Sequence, residues 1–382
     1  MDLAKVSELT DAAVARGTLL PQAAYTSPEW LAAEQAPIFD RRWTFVGHAS
    51  EFAPGTFRRM RVGTEDMVVT RNQDGAVHAL HNVCRHRAAE VVTEDCGTAR
   101  SLVCPYHLWS YDLTGNLKVA HGMPTDVSLS DFPLKSRPVR EWHGLLFIVP
   151  EDADDDASTF APFSRDLDEF ARLRLHEAKV VHTEVYDIAA NWKAVWENFC
   201  ECYHCSTNHP EFLAAYDLDS LYDENGETGI VRLKDGMCSL SLDGQPVCKR
   251  AFGDFDGVPT EEWGLYYVDA YPAYTVSATP DYAVIHTFTP TSAGRTVLKC
   301  DWLVHRDAVE GVDYEIKDVV VVWHQTNLQD IALCESAQRG ISSSAYQPGL
   351  LSAMREPFVV RFHEAYAQWL RGGLAATAST GT

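Results

Sequence analysis

Two short cysteine–histidine pairs constrain this chain more than any other feature of its sequence. Cys84 and His86 are separated by one residue, and Cys104 and His107, which follow after a further seventeen residues, are separated by two. Thiolate sulfur and imidazole nitrogen are ligands of zinc and of iron–sulfur clusters. A domain that contains these pairs is therefore expected to bring two loop tips together at one metal centre.

Two kinds of metal centre use this set of ligands. In a Rieske [2Fe-2S] cluster two cysteines hold one iron and two histidines hold the other, whereas a zinc knuckle surrounds one zinc with all four groups. Zinc fingers usually group cysteine with cysteine and histidine with histidine, but each pair here offers one of each. The pattern favours the Rieske cluster, in which neutral imidazoles raise the reduction potential above that of an all-cysteine cluster.

The segment around the pairs, residues 43–150, predicts a small antiparallel β domain. Apolar runs alternate with turn signals such as Pro54-Gly55 and Thr114-Gly115-Asn116. The runs that predict strands are Thr44–Val46, Met67–Thr70, Val77–Leu80 and Leu145–Val149. Residues 1–42 predict an N-terminal helical arm, in which Pro28 stands in the first turn of a helix.

The remaining residues, 151–382, predict a larger α+β catalytic domain with a central antiparallel sheet and helices. The segment begins with an acidic stretch, Glu151–Asp156, that is typical of a solvated linker. Strands are expected at Ala270–Ala278, Tyr282–Thr289 and Thr296–Val304, and helices around 310–340 and 353–371. The predicted fold class of the whole chain is α+β.

A second possible metal site lies at residues 197–209. If this stretch is helical, Asn198, Glu201 and His204 recur at every third position and share one face. His209 does not fit that face, because five residues of a regular helix place it about 140° away from His204.

The proline at position 210 offers a solution, since the residue before a proline is disfavoured in helical geometry. We therefore expect the helix to end near Asn208 and His209 to turn back towards His204. Two imidazoles and one carboxylate from later in the chain would form a facial triad, the arrangement that holds non-haem Fe(II) with open positions.

Charge and composition narrow the classes of molecule that this chain is expected to bind. The 32 basic and 54 acidic side chains give a net charge of −22, which argues against binding to nucleic acid or to an anionic membrane surface. No apolar run is long enough to span a membrane and no signal peptide is apparent, so a cytoplasmic protein is expected. Its ten cysteines are then expected to be reduced thiols and cluster ligands. Cys200, Cys202 and Cys205 are expected to be buried thiols, not ligands.

With these motifs the chain resembles the catalytic α subunits of Rieske non-haem iron oxygenases over nearly its full length. The resemblance is carried by Cys84-Arg85-His86-Arg87, Cys104-Pro105-Tyr106-His107-Leu108-Trp109, Asn191-Trp192-Lys193, residues 197–209 and Asn327-Leu328-Gln329-Asp330. It implies that His204, His209 and Asp330 bind a mononuclear Fe(II). Leu108 departs from the family pattern, which usually has glycine at that position.

The resemblance also implies roles beside the iron. Glu201 matches an acid that, in the family, links a cluster histidine, here His107, to an iron histidine, here His204. Those two histidines belong to different subunits of a head-to-tail trimer, so a homotrimer is implied. Asn198 matches a position near the iron. A separate reductase with a flavin and a ferredoxin-type cluster would supply electrons from NADH or NADPH, since the chain has no nucleotide-binding fingerprint.

The later part of the chain resembles the branch that acts on quaternary ammonium compounds, such as glycine betaine, choline, carnitine and stachydrine. The expected reaction uses O2 to hydroxylate an N-methyl group, which leaves as formaldehyde. Aromatic faces recognise methylammonium groups, and the candidates are Tyr203, Trp263, Tyr266, Tyr267, Tyr271 and Tyr274. The alternatives are an aromatic ring-hydroxylating oxygenase and, less favoured, a non-catalytic Rieske electron carrier.

Overall fold

The computed structural model describes residues 1–40, 43–124, 126–148, 170–222, 230–255, 257–270 and 274–380. The chain divides into two compact units. The small unit is Phe39–Phe160, and the large unit combines Met1–Ile38 with Ala161–Thr382. The N-terminal helices thus belong to the large unit. The predicted acidic linker, Glu151–Asp156, lies outside the described residues.

The small unit consists of short antiparallel strands. They are β1 (Thr44–His48), β2 (Thr56–Val62), β3 (Glu65–Arg71), β4 (Val77–His81), β5 (Cys96–Thr98), β6 (Leu102–Val103), β7 (Ser110–Tyr111), β8 (Leu117–Val119), β9 (Ser136–Arg137), β10 (Val139–Trp142) and β11 (Leu145–Ile148). They form sheets in the orders β5-β2-β3-β4-β9, β1-β11-β10 and β6-β7-β8. The strands predicted here are confirmed, although Val149 lies outside the described residues.

The two loops that carry the cysteine–histidine pairs are anchored in a hydrophobic core of this unit. Cys84 and Cys104 are buried in it together with Trp109 and Tyr111. Trp109 and Cys104 lie between β6 and β7, so this hairpin carries the second cysteine–histidine pair at its tip. Burying the loop stems in this way anchors the loop tips.

The large unit is built on one antiparallel sheet with the strand order β12-β17-β16-β15-β14-β13. Its strands are β12 (Ala178–Ile188), β13 (Ile230–Val231), β14 (Leu265–Ala270), β15 (Tyr274–Thr279), β16 (Tyr282–Ser292) and β17 (Arg295–His305). The α+β class is therefore confirmed. The single strand predicted at Ala270–Ala278 is wrong: β14 ends at Ala270 and β15 begins at Tyr274, and the two pair as neighbours. The sequence pattern missed β14, whose apolar residues do not alternate regularly.

The helices of the large unit are α1 (Leu3–Arg16), α2 (Gln22–Thr26), α3 (Pro28–Glu34), α4 (Trp192–Phe199), α5 (Cys205–Asn208), α6 (Ile316–Ile341) and α7 (Pro357–Thr380). Ser27 caps α3 by accepting a hydrogen bond from the Trp30 N–H, and Pro28 occupies the first turn as predicted. The two long C-terminal helices are also confirmed. None of the helices in the described ranges is long and apolar enough to cross a bilayer.

The longest helix, α6, places polar groups in the interior of the large unit. Its buried residues recur every three or four positions, which is the pattern of a helix that packs along one face. Val319 and Val322 begin this face, but Asn327 and Asp330 continue it with polar side chains. Because α6 packs against α4 and β12, Asp330 lies on the buried side of the helix.

Candidate functional site

The two loops that carry the cysteine–histidine pairs have the same backbone closure. The Ala88 N–H donates to the Cys84 carbonyl and the Leu108 N–H donates to the Cys104 carbonyl, both at 3.0 Å. Both closing residues have left-handed backbone, with φ of 59° at Ala88 and 60° at Leu108. Glycine adopts this conformation without cost, which explains a family preference for glycine at position 108. Leu108 adopts it even though it has a side chain.

These loops bring all four predicted cluster ligands together. The thiols of Cys84 and Cys104 are buried and close enough to interact with each other. The rings of His86 and His107 lie 4.5 Å apart between centroids in an edge arrangement. Trp109 stacks on His86 at 4.8 Å. The predicted grouping of these residues is therefore present.

The chemistry of this group fits a cationic cluster. The Nδ1 atom of His86 is buried and has no hydrogen-bond partner among the described residues, although a buried polar atom usually has one. Burial raises the pKa of the Cys104 thiol, so its thiolate needs adjacent positive charge. Burial, together with the nearby His86 and Arg87, lowers the pKa of His107 and keeps it neutral. An iron–sulfur cluster would satisfy each of these groups.

The stretch at 197–209 is not one helix. Helix α4 ends at Phe199 and the short helix α5 begins only at Cys205, so Glu201 lies in the intervening turn. The prediction of one continuous helical face is therefore wrong. The predicted end at Asn208 is confirmed, and His209 has non-helical backbone with φ of −121° and ψ of 68°. This is the departure that a following proline favours.

Three side chains converge where the two helices meet α6. The Nε2 atoms of His204 and His209 lie 3.0 Å apart. The Asp330 Oδ1 atom lies 3.1 Å from the Nε2 of His204 and 2.9 Å from that of His209. Ligands at right angles on one metal, with bonds of about 2.1 Å, stand about 3.0 Å apart. The three spacings match one face of an octahedral metal ion.

The remaining ring nitrogens are also occupied. His204 Nδ1 lies 2.5 Å from Glu201 Oε1, and His209 Nδ1 lies 2.7 Å from Gln329 Oε1. Since both partners are acceptors, each Nδ1 carries the hydrogen and each Nε2 presents a lone pair. Those lone pairs and the Asp330 oxygen face one another, an arrangement that requires a shared cation, either a proton or a metal ion.

The pKa shifts of the three triad residues agree with the need for a shared cation. Burial lowers the pKa of His204, but hydrogen bonds to Asp330 and Glu201 outweigh burial and raise the pKa to about 9. The pKa of His209 is likewise raised, because Asp330 outweighs its burial. Burial tends to raise the pKa of Asp330, yet the two histidines lower it. The site thus favours one anionic oxygen beside positive charge.

Asn198 borders this triad. Its Nδ2 atom lies 3.4 Å from His204 Nε2, and its Oδ1 atom is buried without a hydrogen-bond partner in the described part of the chain. Glu335, which lies five residues beyond Asp330 on the same helix, points elsewhere and accepts a hydrogen bond from the Ala189 N–H. The large unit therefore brings Asn198 to the triad and keeps Glu335 away from it.

The cysteines near the triad differ from expectation. Cys202 and Cys205 form a disulfide, so the prediction of reduced thiols is wrong for this pair. The Cys205 sulfur lies within 4.8 Å of nitrogen atoms of His204 and His209. Two residues separate the two cysteines along the chain, and the turn between α4 and α5 brings their Cα atoms to 4.9 Å, which suits a disulfide. Cys200 remains a buried thiol, as expected.

Aromatic rings extend from the triad into the large unit. Phe212 lies 6.4 Å from His209 and 5.4 Å from Trp323, between ring centroids. Trp323 lies 4.9 Å from His286, and His286 lies 5.2 Å from Phe199. Burial lowers the pKa of His286 to about 3, so this ring is uncharged at neutral pH. No local sequence pattern predicts this group, because its members come from four separate elements.

The aromatic residues predicted to recognise a substrate do not form one group. Tyr266 and Tyr274 are buried in the sheet, whereas Tyr203 is 61% exposed. Trp263 and Tyr267 are partly buried, and Tyr271 lies outside the described residues. These positions thus remain separate candidates.

Comparison with known families matches both units. Residues 42–134 match the model of the Rieske [2Fe-2S] domain. Residues 175–372 match the model of the ring hydroxylating alpha subunit (catalytic domain).

Several characterised proteins are similar over most of their length. The glycine betaine monooxygenase oxygenase subunit of Pseudomonas aeruginosa is 33% identical, with 93% of this chain and 90% of the relative covered. The corresponding subunit of Chromohalobacter salexigens is 34% identical, with 94% and 87% covered. The carnitine monooxygenase oxygenase subunit of Acinetobacter baumannii is 28% identical, with 86% of each chain covered.

Solved structures have the same fold at lower identity. A quaternary ammonium Rieske monooxygenase superposes with a TM-score of 0.75 at 23% identity, with 95% of this chain and 98% of the other covered. Naphthalene 1,2-dioxygenase from a Rhodococcus species superposes with a TM-score of 0.74 at 18% identity, with 96% and 98% covered. The fold is thus common to proteins that act on very different molecules.

Proposed function

Because the chain belongs to the ring-hydroxylating α-subunit family of Rieske oxygenases, we propose that it N-demethylates a small quaternary ammonium compound such as glycine betaine. The family makes it an oxidoreductase with a Rieske [2Fe-2S] cluster, a non-haem iron and a reductase partner. One oxygen atom of O2 would enter an N-methyl C–H bond, and the other would leave as water with two electrons and two protons. The hydroxymethyl group would then leave as formaldehyde.

The observation that carries the proposal is the triad of His204, His209 and Asp330, with its donor atoms 2.9–3.1 Å apart. We assign these residues as the iron ligands, and Cys84, Cys104 and the two cluster-loop histidines as the cluster ligands. Bound iron would supply the activation of O2, which no side chain can provide. The three residues would hold the iron through two nitrogen atoms and one oxygen atom, and this ligand set would leave positions open for O2 chemistry.

The aromatic group beside the triad suits a methylammonium substrate. Phe212 and Trp323 offer π faces, which attract cations. A protonated imidazole among these rings would repel a quaternary ammonium, but His286 is neutral because burial lowers its pKa to about 3. The relatives that act on glycine betaine support the same class of substrate.

Electron delivery is proposed to pass between subunits. Glu201 accepts the His204 Nδ1–H at 2.5 Å and also the Tyr203 N–H. We propose that this carboxylate also accepts a hydrogen bond from His107 of a second copy, within a homotrimer. A reductase that uses NADH or NADPH would supply the electrons in the cytoplasm, where these nucleotides are available.

Oxygen uptake with a surrogate reductase tests the proposed substrate. Glycine betaine is expected to stimulate oxygen consumption and to release formaldehyde in equal amounts, with carnitine, choline and benzoate as comparison compounds. Anaerobic titration of the same compounds should perturb the mononuclear iron signal only for those that bind. If benzoate alone perturbs the signal and is hydroxylated, the enzyme is an aromatic ring hydroxylase and the proposed substrate class is wrong.

Two variants test the assigned sites. His204→Ala is expected to lose the mononuclear iron and keep the absorbance of the cluster, whereas loss of both would contradict the assignment. Glu201→Gln is expected to retain both metal centres and slow electron transfer between them. Single-turnover kinetics from a pre-reduced cluster measures this step, and an unchanged rate would contradict the bridging role.

A further inference from the structure

The two triad histidines have different partners at Nδ1. His204 donates to a carboxylate, that of Glu201, at 2.5 Å. His209 instead donates to the neutral amide oxygen of Gln329 at 2.7 Å. The amide of Gln329 has its own partner, because its Nε2 atom donates to the Glu211 carboxylate at 3.0 Å. A chain of two hydrogen bonds thus connects Glu211 to His209.

While Glu211 is ionised, the donors and acceptors of the two hydrogen bonds from Glu211 to His209 can be arranged in only one way. A carboxylate can only accept, so the –NH2 end of the Gln329 amide must face Glu211. The oxygen end must then face His209, and this oxygen can only accept. His209 therefore carries its hydrogen on Nδ1 and presents the lone pair of Nε2 to Asp330.

We propose that Glu211 and Gln329 are positioning residues that select the metal-binding tautomer of His209. This inference rests on the proposed function, since it takes His209 to be an iron ligand. His209 is only 1% exposed. If the Gln329 amide flips, water therefore cannot readily replace the acceptor that the His209 Nδ1–H loses. Removal of an orienting partner of a metal-binding histidine typically weakens metal binding by about 10–100-fold.

Glu211→Lys is the informative substitution, because it replaces the hydrogen-bond acceptor at position 211 with a donor. The introduced ammonium can only donate, so it favours the oxygen end of the Gln329 amide and turns the –NH2 end towards His209. His209 must then accept at Nδ1 and carry its hydrogen on Nε2, where it cannot bind metal. Glu211→Gln keeps an acceptor oxygen at position 211 and should preserve the native order.

A second substitution should rescue the first. In Gln329→Glu the new carboxylate has two acceptor oxygens, of which one can face the lysine introduced at position 211 and the other His209. The combination of Glu211→Lys with Gln329→Glu should therefore restore the native tautomer. A purely steric effect of the longer lysine side chain would not be reversed by this second change, because Gln329→Glu leaves the side-chain volume at position 329 nearly unchanged.

The experiment measures anaerobic binding of Fe(II), by calorimetry, to full-length protein that has lost its mononuclear iron to a chelator and retained its cluster absorbance. Glu211→Lys is expected to weaken binding by at least about tenfold, whereas Glu211→Gln and the rescued double variant stay within about threefold of the parent. Asp219→Lys is the matched control, because it makes the same charge change at an exposed position eight residues away. It is expected to bind Fe(II) like the parent.

The outcomes separate the two proposals. If His209→Ala binds Fe(II) as well as the parent, the proposed iron site is wrong. If His209→Ala abolishes binding but Glu211→Lys matches Asp219→Lys, the site stands and the positioning role is refuted. Failure of Gln329→Glu to restore binding in the Glu211→Lys background would also refute it.

Discussion

A buried ion pair in the large unit provides the strongest test of how this fold is stabilised. Lys193 on α4 and Glu34 at the end of α3 are both fully buried, and their charged atoms lie 2.6 Å apart. Glu34 also accepts hydrogen bonds from the Trp192 indole N–H and the Tyr366 hydroxyl. The pair joins residues 159 positions apart and fixes the helix that leads to Asn198.

The substitution Lys193→Met removes the charge and retains an unbranched apolar side chain. Removal of one partner from a buried ion pair typically costs about 3–5 kcal/mol, because the other charge remains without compensation. Here Glu34 keeps two neutral donors, so we expect about 3 kcal/mol. The double variant Glu34→Gln with Lys193→Met leaves no buried charge, and its amide oxygen can still accept from Trp192. It should recover most of the loss.

Guanidinium unfolding followed by tryptophan fluorescence is a suitable assay, because seven of the ten tryptophans lie in the large unit. Differences in midpoint at equal slope give the change in the free energy of unfolding. Equal stability of parent and Lys193→Met would refute the argument. So would a double variant that is as unstable as the single one.

Three further measurements test other features. Leu108→Gly should stabilise the small unit by about 1 kcal/mol in thermal unfolding, because it removes a side chain from left-handed backbone. Leu108→Ala should give no such gain. An equal gain in both variants would contradict the inference that the backbone at this position is strained. Metal-free protein should lose up to about 3 kcal/mol of stability between pH 6.5 and 9, because a His204 pKa raised to about 9 stabilises the fold only while the ring is protonated. His204→Gln should remove this slope, and a slope that persists would assign it to another group. Thiol titration of denatured, cofactor-free protein should find eight thiols before reduction and ten after it, since Cys202 and Cys205 are paired; ten thiols before reduction would exclude the disulfide.

The sequence was most informative where chemistry and local geometry coincide. The cysteine–histidine pairs predicted their own convergence, since each pair lies on one short loop whose stem is apolar. Pro210 likewise predicted the non-helical backbone of His209. Both inferences need only neighbouring residues, and both are reproduced in the structure.

Local sequence patterns could not predict contacts between residues that lie far apart in the chain. Asp330 lies 126 residues from His204 and is one of 54 acidic residues, so only family resemblance identified it. The pairing of Lys193 with Glu34 and the chain from Glu211 to His209 depend on which faces of α3, α4 and α6 meet. Such contacts are set by the packing of the whole large unit, and no local pattern specifies them.

The break between α4 and α5 explains how two histidines five residues apart can face one another at the proposed iron site. On one continuous helix, Glu201 and His204 would project from the same face and His209 from another. The break lets Glu201 turn back onto His204 Nδ1 at 2.5 Å while His204 Nε2 faces Asp330 at 3.1 Å. One imidazole can then contact an acid on one side and a metal ion on the other. An uninterrupted helix would turn His209 away from His204 and Asp330, so substitutions that extend α4 through this stretch should weaken metal binding even when every ligand is retained.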